Sequence, residues 1–239
     1  MKLHRFYVAG KIPSQGVFDV ADTNLVNQLK NVFRLRTGDS VIMFDGDGRD
    51  NECLVQGFLK DKVSLEIQAS YPSRYIPTRD IWLCAAIPKK DTFEWIAEKA
   101  TELGVSHIVP IVSDRSEKKS LNMERLEKIV IEASEQSGRG DIPAISPITS
   151  LDESIKHIKQ MSASGNTEVL AFHTEGELFQ DDIFDKAKST ALFIGPEGGW
   201  SESEVELFHK ENIPVKSLGR QILRAETAAI AVLANIVFT

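Results

Sequence analysis

The chain has 239 residues, 42% hydrophobic and 26% charged, which suits one or two globular domains with a substantial core and excludes disordered and fibrous classes. Its formal net charge of −7 argues against indiscriminate nucleic-acid binding, yet residues 1–72 are formally neutral and the whole excess falls on residues 73–239. Two cysteines, Cys53 and Cys84, lack CxxC spacing, and the five histidines form no i,i+4 pair, so we expect reduced core thiols in a cytoplasmic protein and no metal.

The opening residues carry charge but no apolar stretch of the kind a secretory signal needs. From Arg5 to Ala69 short alternating runs predict strands at Phe6 to Val8, Gly16 to Val20, Ser40 to Phe44, Glu52 to Phe58 and Lys62 to Ile67, separated by Gly, Asp, Asn and Lys turns, a pattern that suggests a barrel. One helix is expected between them, Thr23 to Val32, capped by Asp22 or Thr23, with Leu25, Val26, Leu29 and Val32 on one face. Ser70 to Arg79, with Pro72 and Pro77, marks a boundary, giving domains 1–72 and 73–239.

Beyond it strands and helices alternate. Ile81 to Ile87 reads as a buried strand; Asp91 and Glu94 then form a capping box for a helix presenting Phe93, Ile96, Ala97, Ala100 and Leu103 on one stripe. His107 to Val112 is a strand, Met123 to Ser137 an amphipathic helix, and Val169 to His173, Ala191 to Ile194 and Val215 to Leu218 further strands. Ser201 with Glu204 makes a second capping box, opening a helix to about Glu211. Ala228 to Phe238, interrupted by Asn235, is too short to span a bilayer; Ala225 to Phe238 is apolar almost all round and requires burial on most faces by the sheet or by a second subunit. The alternation implies a mainly parallel sheet covered on both faces, with ligands at its strand C-terminal ends.

Two turns at such ends carry the chemistry. Gly195-Pro196-Glu197-Gly198-Gly199-Trp200-Ser201 follows one strand, and Leu218-Gly219-Arg220-Gln221-Ile222-Leu223-Arg224-Ala225-Glu226-Thr227-Ala228 follows another. Gly195, Gly198 and Gly199 let main-chain N–H and C=O groups approach a ligand that a side chain would keep away. Neither turn has the Gly-Lys-Ser/Thr ending of a P-loop or the Gly-x-Gly-x-x-Gly of a dinucleotide fold, and Ile87-Pro88-Lys89-Lys90 carries no glycine turn after the first strand of the α/β part, which argues against a nicotinamide oxidoreductase.

With Lys89-Lys90 through Glu94 to Lys99-Ala100-Thr101-Glu102-Leu103-Gly104-Val105, with Glu132 to Arg139, and with His4 to Val8, these turns make five ordered blocks over nearly the whole chain. Together they resemble the bacterial RsmE family, ribosomal RNA uridine-N3 methyltransferases of the SPOUT class. One departure is Leu126, where the family commonly carries Trp after Glu-Arg; it bears on local packing rather than chemistry.

The resemblance implies an α/β SPOUT domain with a C-terminal trefoil knot, preceded by a PUA-like RNA-binding β-barrel. It implies S-adenosylmethionine as cofactor, held by Leu170, Phe172, His173, Ile194, Gly195, Pro196, Glu197, Gly198, Gly199, Leu218, Gly219, Ile222, Leu223 and Ala228. Glu197 favours the sulfonium or electrostatically caps the following helix, and Trp200 covers the ligand or packs. Negative charge develops on uracil as its N3 proton leaves, which a guanidinium stabilises; Arg224 is the expected residue, with Glu102 and Glu135 as weaker candidates for the base. Arg5, Lys89, Gln136 and Arg139 are expected to meet RNA; Arg74, Arg79, Lys90, Arg115, Lys118 and Lys119 are further cations that either meet phosphate or stay solvated. The expected partners are small-subunit ribosomal RNA, within an assembled 30S subunit, and a second copy of the chain. The alternative is a non-catalytic RNA-binding or ribosome-assembly module, against which the intact glycine turns speak.

Overall fold

In the computed structural model, residues 3–89, 92–162, 167–179 and 189–238 are described. The chain divides into two compact units: residues 1–76 together with Ser134–Ile142, and residues 77–133 together with 143–239. The prolines and polar residues around Ser70 to Arg79 mark that change, but the return of Ser134–Ile142 to the first unit rests on long-range pairing that no local pattern reveals.

In the first unit, β1 (Arg5–Tyr7), β2 (Gly16–Val20), β3 (Ser40–Phe44), β4 (Arg49–Phe58) and β5 (Val63–Pro72) form one sheet in the order β1-β3-β4-β5-β2. Only β1 and β3 run parallel; the remaining pairs are antiparallel. Alternation places Phe6, Val41, Met43, Cys53, Val55, Val63 and Leu65 in a core shared with Leu25, Val26 and Leu29. Asp22 caps α1 (Thr23–Asn27), its Oδ1 accepting from the N–H groups of Asn24 and Leu25 at 2.8 and 3.1 Å. Val32, expected on the buried stripe, is instead 65% exposed. From Gln28 to Val32 the helix widens to a π-type turn, closed by Phe33 N–H to Gln28 C=O at 2.9 Å, and the extra residue in that turn carries Val32 off the apolar face.

Arg5 organises the polar heart of this unit. Its guanidinium donates to both oxygens of Asp50, as close as 2.7 Å, and to the carbonyls of Ser134 and Arg139, and it lies 3.6 Å over the Phe44 ring. Ser73 Oγ donates to Asp50 at 2.6 Å, and Tyr7 N–H donates to Glu135 at 2.8 Å. Gly140 passes so close to Gly48 that an added Cβ would stand 2.9 Å from the Gly48 Cα, which explains why glycine is needed there.

The second unit is a parallel sheet built from β6 (Asp80–Ala86), β7 (His107–Val112), β8 (Ala144–Ile145), β9 (Thr149–Ser150), β10 (Thr167–Leu178), β11 (Ser189–Ile194) and β12 (Val215–Ser217). Its order is β12-β10-β11-β6-β7-β8, with β9 also paired to β7. The intervening helices are α2 (Thr92–Glu102), α3 (Met123–Ser137), α4 (Leu151–Ser162), α5 (Glu202–Lys210) and α6 (Ala225–Phe238). Trp82, Cys84 and Ala86 share a core with Leu151, Ile155 and Ile158 of α4 and Phe208 of α5. Ile81, Leu83 and Ala85 therefore point to the opposite face, where α6 packs on β11 and on α2. The period-2 and period-3.6 patterns of the sequence thus resolve into the covered parallel sheet they imply. The α4 helix has no counterpart in the sequence reading, and the Asp91 cap lies outside the described residues. Both thiols are buried; burial, helped by the Glu52 charge, pushes Cys53 up to about 12, and burial pushes Cys84 up as well. No helix among the described residues is long and apolar enough to cross a membrane.

Candidate active site

A cavity of about 1140 Å³ opens at the C-terminal ends of β10, β11 and β12. Its walls are Phe172 to Glu177, the turn Ile194 to Trp200, residues around Leu218 to Leu223, Ala225 and Ala228 at the start of α6, one side of α5, and Arg115. In a parallel sheet these ends are where connections splay apart and leave room for a ligand.

The glycine turn is shaped by what surrounds it. Gly199 N–H closes on the Pro196 carbonyl at 2.8 Å, with Gly199 at φ +68°, a conformation that favours glycine. Trp200, 1% exposed, lies beneath Gly195 and donates its Nε1 proton to the Phe172 carbonyl at 3.2 Å, tying the turn to β10. Ser201 then caps α5: its Oγ accepts from Glu204 N–H and the Glu204 carboxylate accepts from Ser201 N–H, the box its spacing predicts. Glu197 accepts from Lys89 N–H at 3.0 Å. His173 accepts at Nδ1 from Glu175 N–H at 3.2 Å, with its Nε2 beside Gly199.

Of the expected cofactor residues, Phe172, His173, Ile194, Gly195, Pro196, Glu197, Gly198, Gly199, Leu218, Ile222, Leu223 and Ala228 are brought together around this cavity. Leu170 is not: strand alternation turns it into the core, 1% exposed. Gly219 shapes its turn at φ +134° without lining the cavity. Beyond the expected residues, Glu175, Gly176 and Glu177 reach the cavity because β10 runs past its predicted end and bulges between Phe172 and Glu177, and Glu202 and Glu206 reach it from α5.

The expected catalytic residues lie elsewhere. Arg224 is 84% exposed and 4.0 Å from Glu226, its side chain directed away while Ala225 and Ala228 face inward. Glu102 sits on α2, bonded to Lys99 at 2.8 Å, and is not a cavity residue. Two of the expected RNA contacts are also corrected. The Arg5 side chain is 8% exposed and committed to Asp50, and the Arg139 side chain is 1% exposed, with Asp141 at 2.7 Å. A guanidinium desolvated and paired in this way serves the interior of the fold. Gln136 is exposed, and Lys89 is exposed while paired with Glu117 at 2.6 Å. Glu135, the weaker base candidate, is bonded to Tyr7 N–H.

The cavity at the C-terminal ends of this parallel sheet lies where α/β folds bind ligands, and residues 75–237 match the RNA methyltransferase domain family, which makes the chain a methyltransferase. The chain is 32% identical over 225 residues to the ribosomal RNA small subunit methyltransferase E of Bacillus subtilis, covering 88% of this chain and 86% of that one. It is 29% identical to the Rickettsia conorii protein of the same name, covering 99% and 96%. Among solved structures, the Neisseria gonorrhoeae ribosomal RNA small subunit methyltransferase E bound to S-adenosyl methionine superposes with a TM-score of 0.88 at 28% identity, covering 98% of this chain and 96% of that one. A Legionella pneumophila methyltransferase in complex with the same cofactor gives 0.88 at 26% identity, covering 99% and 97%. The chain belongs to the ribosomal RNA small subunit methyltransferase E family and is an RNA methyltransferase.

Proposed function

We propose that the cavity binds S-adenosylmethionine and that the enzyme methylates N3 of one uridine in small-subunit ribosomal RNA. The observation that carries this reading is the character of the walls: main chain at the glycines of the 195–199 turn, apolar Phe172, Leu218 and Leu223, and the carboxylates Glu175, Glu177, Glu197, Glu202 and Glu206. Such a lining suits a flat adenine held through peptide groups and a cationic sulfonium attracted by negative charge. When bound, S-adenosylmethionine supplies an electrophilic methyl group. The chain itself orients: the Trp200 bond to Phe172 fixes the turn, Gly195 and Gly198 keep their peptide groups open, and Ile222, 87% exposed at the mouth, is placed to close over what enters.

In this reading the first unit is a PUA-like barrel that binds RNA, and exposed Gln136 and Lys89 contribute contacts. The second unit carries a C-terminal trefoil knot. The enzyme is a homodimer: Trp95 on α2 and Phe238 on α6, 42% and 78% exposed, belong to helices that pack together and present apolar surface to a second copy. The substrate is the assembled 30S subunit, in the cytoplasm.

Calorimetric titration with S-adenosylmethionine, with competition by S-adenosylhomocysteine, tests the cofactor. Mass spectrometry of small-subunit RNA from a strain lacking the protein tests the substrate: a single uridine without its N3 methyl is expected, and an unchanged modification profile overturns it. Absence of binding heat favours a non-catalytic module instead.

A further inference from the structure

We infer that Arg115 is the catalytic cation of this site, the group that stabilises the uracil anion as its N3 proton departs; this rests on the reading of the cavity as a uridine-N3 methyltransferase site. Among the described residues that line the cavity, Arg115 is the one Lys or Arg, and its surroundings are acidic, with Glu197, Glu202 and Glu206 among them. In such a lining a uracil acquiring negative charge on O2, N3 and O4 is opposed by the carboxylates and stabilised by this guanidinium.

The residue is held in place before any ligand arrives. Ser116 N–H closes a turn on the Ser113 carbonyl at 3.1 Å, Ser113 N–H donates to Ser116 Oγ at 3.2 Å, and both serines are buried. Asp114, between them, donates its N–H to Glu204 at 2.9 Å and accepts at Oδ2 from Ser201 and Ser203. The turn after β7 is thus pinned to the first turn of α5. From that anchor Arg115 extends its stem along Gly198 and donates Nη1–H to the Gly198 carbonyl at 2.7 Å. One edge of the fork is fixed to the glycine turn, and the guanidinium stays on the exposed side. A fixed cation needs no reorganisation as charge develops, which is what makes it effective.

The step balances without a further reactant. The N3–H bond breaks and its proton passes to water; the pair left on N3 forms the bond to the methyl carbon; the carbon–sulfur pair returns to sulfur, turning the sulfonium into the thioether of S-adenosylhomocysteine. Arg115 acts on the anion formed in the first of these events and lowers the pH at which it becomes accessible.

Arg115→Gln removes the charge while keeping a polar amide of shorter reach; Arg115→Lys keeps the charge. Both variants and the wild type are assayed on small subunits purified from a strain lacking the enzyme, with kcat measured against pH and S-adenosylmethionine affinity measured by calorimetry. The expected result is unchanged cofactor affinity, a loss in kcat of about 10²-fold at neutral pH for Arg115→Gln that narrows as pH rises, and partial rescue in Arg115→Lys. A uniform loss with an unmoved pH profile, a rise in KM alone, or full activity in Arg115→Gln overturns the assignment. Failure of the wild type to methylate these subunits or to bind the cofactor instead overturns the reading on which it rests.

Discussion

Gly195 and Trp200 meet so closely that a Cβ added to the glycine would stand 3.3 Å from the indole ring. The ring has no room to retreat, being 1% exposed and bonded through Nε1 to the Phe172 carbonyl. Gly195→Ala should therefore push the glycine turn outward, costing about 1–3 kcal/mol of stability as overpacking does. Cofactor affinity should fall by about 10-fold or more, equivalent to about 1.4 kcal/mol. Thermal melting and calorimetric titration check the two parts separately, and an unaltered affinity would show that this turn does not hold the ligand.

Gly176 is a sterner case, because what its Cβ would meet is backbone. The added carbon would stand 2.6 Å from the Lys216 carbonyl carbon and 2.8 Å from the carbonyl oxygens of Val215 and Lys216. β10 and β12 would have to separate, so Gly176→Ala should lower stability by about 3 kcal/mol or more, at the upper end of overpacking costs. Denaturant unfolding monitored by tryptophan fluorescence measures this, and a change below about 1 kcal/mol would contradict the close approach of the two strands.

Arg5 distinguishes a residue that builds the fold from one that binds RNA. Arg5→Ala leaves Asp50 buried without its guanidinium, a change that costs about 3–5 kcal/mol. Arg5→Met together with Asp50→Leu should recover part of it, since neither charge is then stranded. Equilibrium unfolding of the two variants provides the comparison. If Arg5→Ala unfolds like the wild type yet binds RNA less well, the interior role is wrong.

Asp80 gives the fold a definite acid limb. The hydrogen bond from His107, at 3.1 Å, outweighs the opposing effect of burial and, with a weaker contribution from Trp82 at 3.0 Å, holds its carboxyl below its ordinary value of 3.8. A carboxyl depressed in the folded state contributes stability that is present above the unfolded value and lost as pH falls through the folded one. Melting temperature should therefore drop below pH 3.8 as Asp80 protonates. His107→Phe keeps a ring against Trp82, now stacked at 3.6 Å, but removes the donor, so its melting temperature should fall less below pH 3.8 than that of the wild type. Coincident pH–melting curves for the two proteins would exclude this contribution.

The sequence by itself determined what acts within a turn or two of chain: the Ser201–Glu204 box, the strand at His107 to Val112, the apolar run that became α6, and the glycine turn after β11. Period, capping chemistry and φ preference are local, so they can be read before folding. Which charged side chain faces the cavity is not local. Arg224 sits in the expected motif yet points outward, whereas Arg115 belongs to no glycine motif and reaches Gly198 because two serines and Asp114 pin its turn to α5. Arg5 and Arg139 look like surface cations in sequence and are buried, because carboxylates distant or folded back along the chain meet them there. Side-chain direction at such positions is set by long-range packing, and only the tertiary structure decided it.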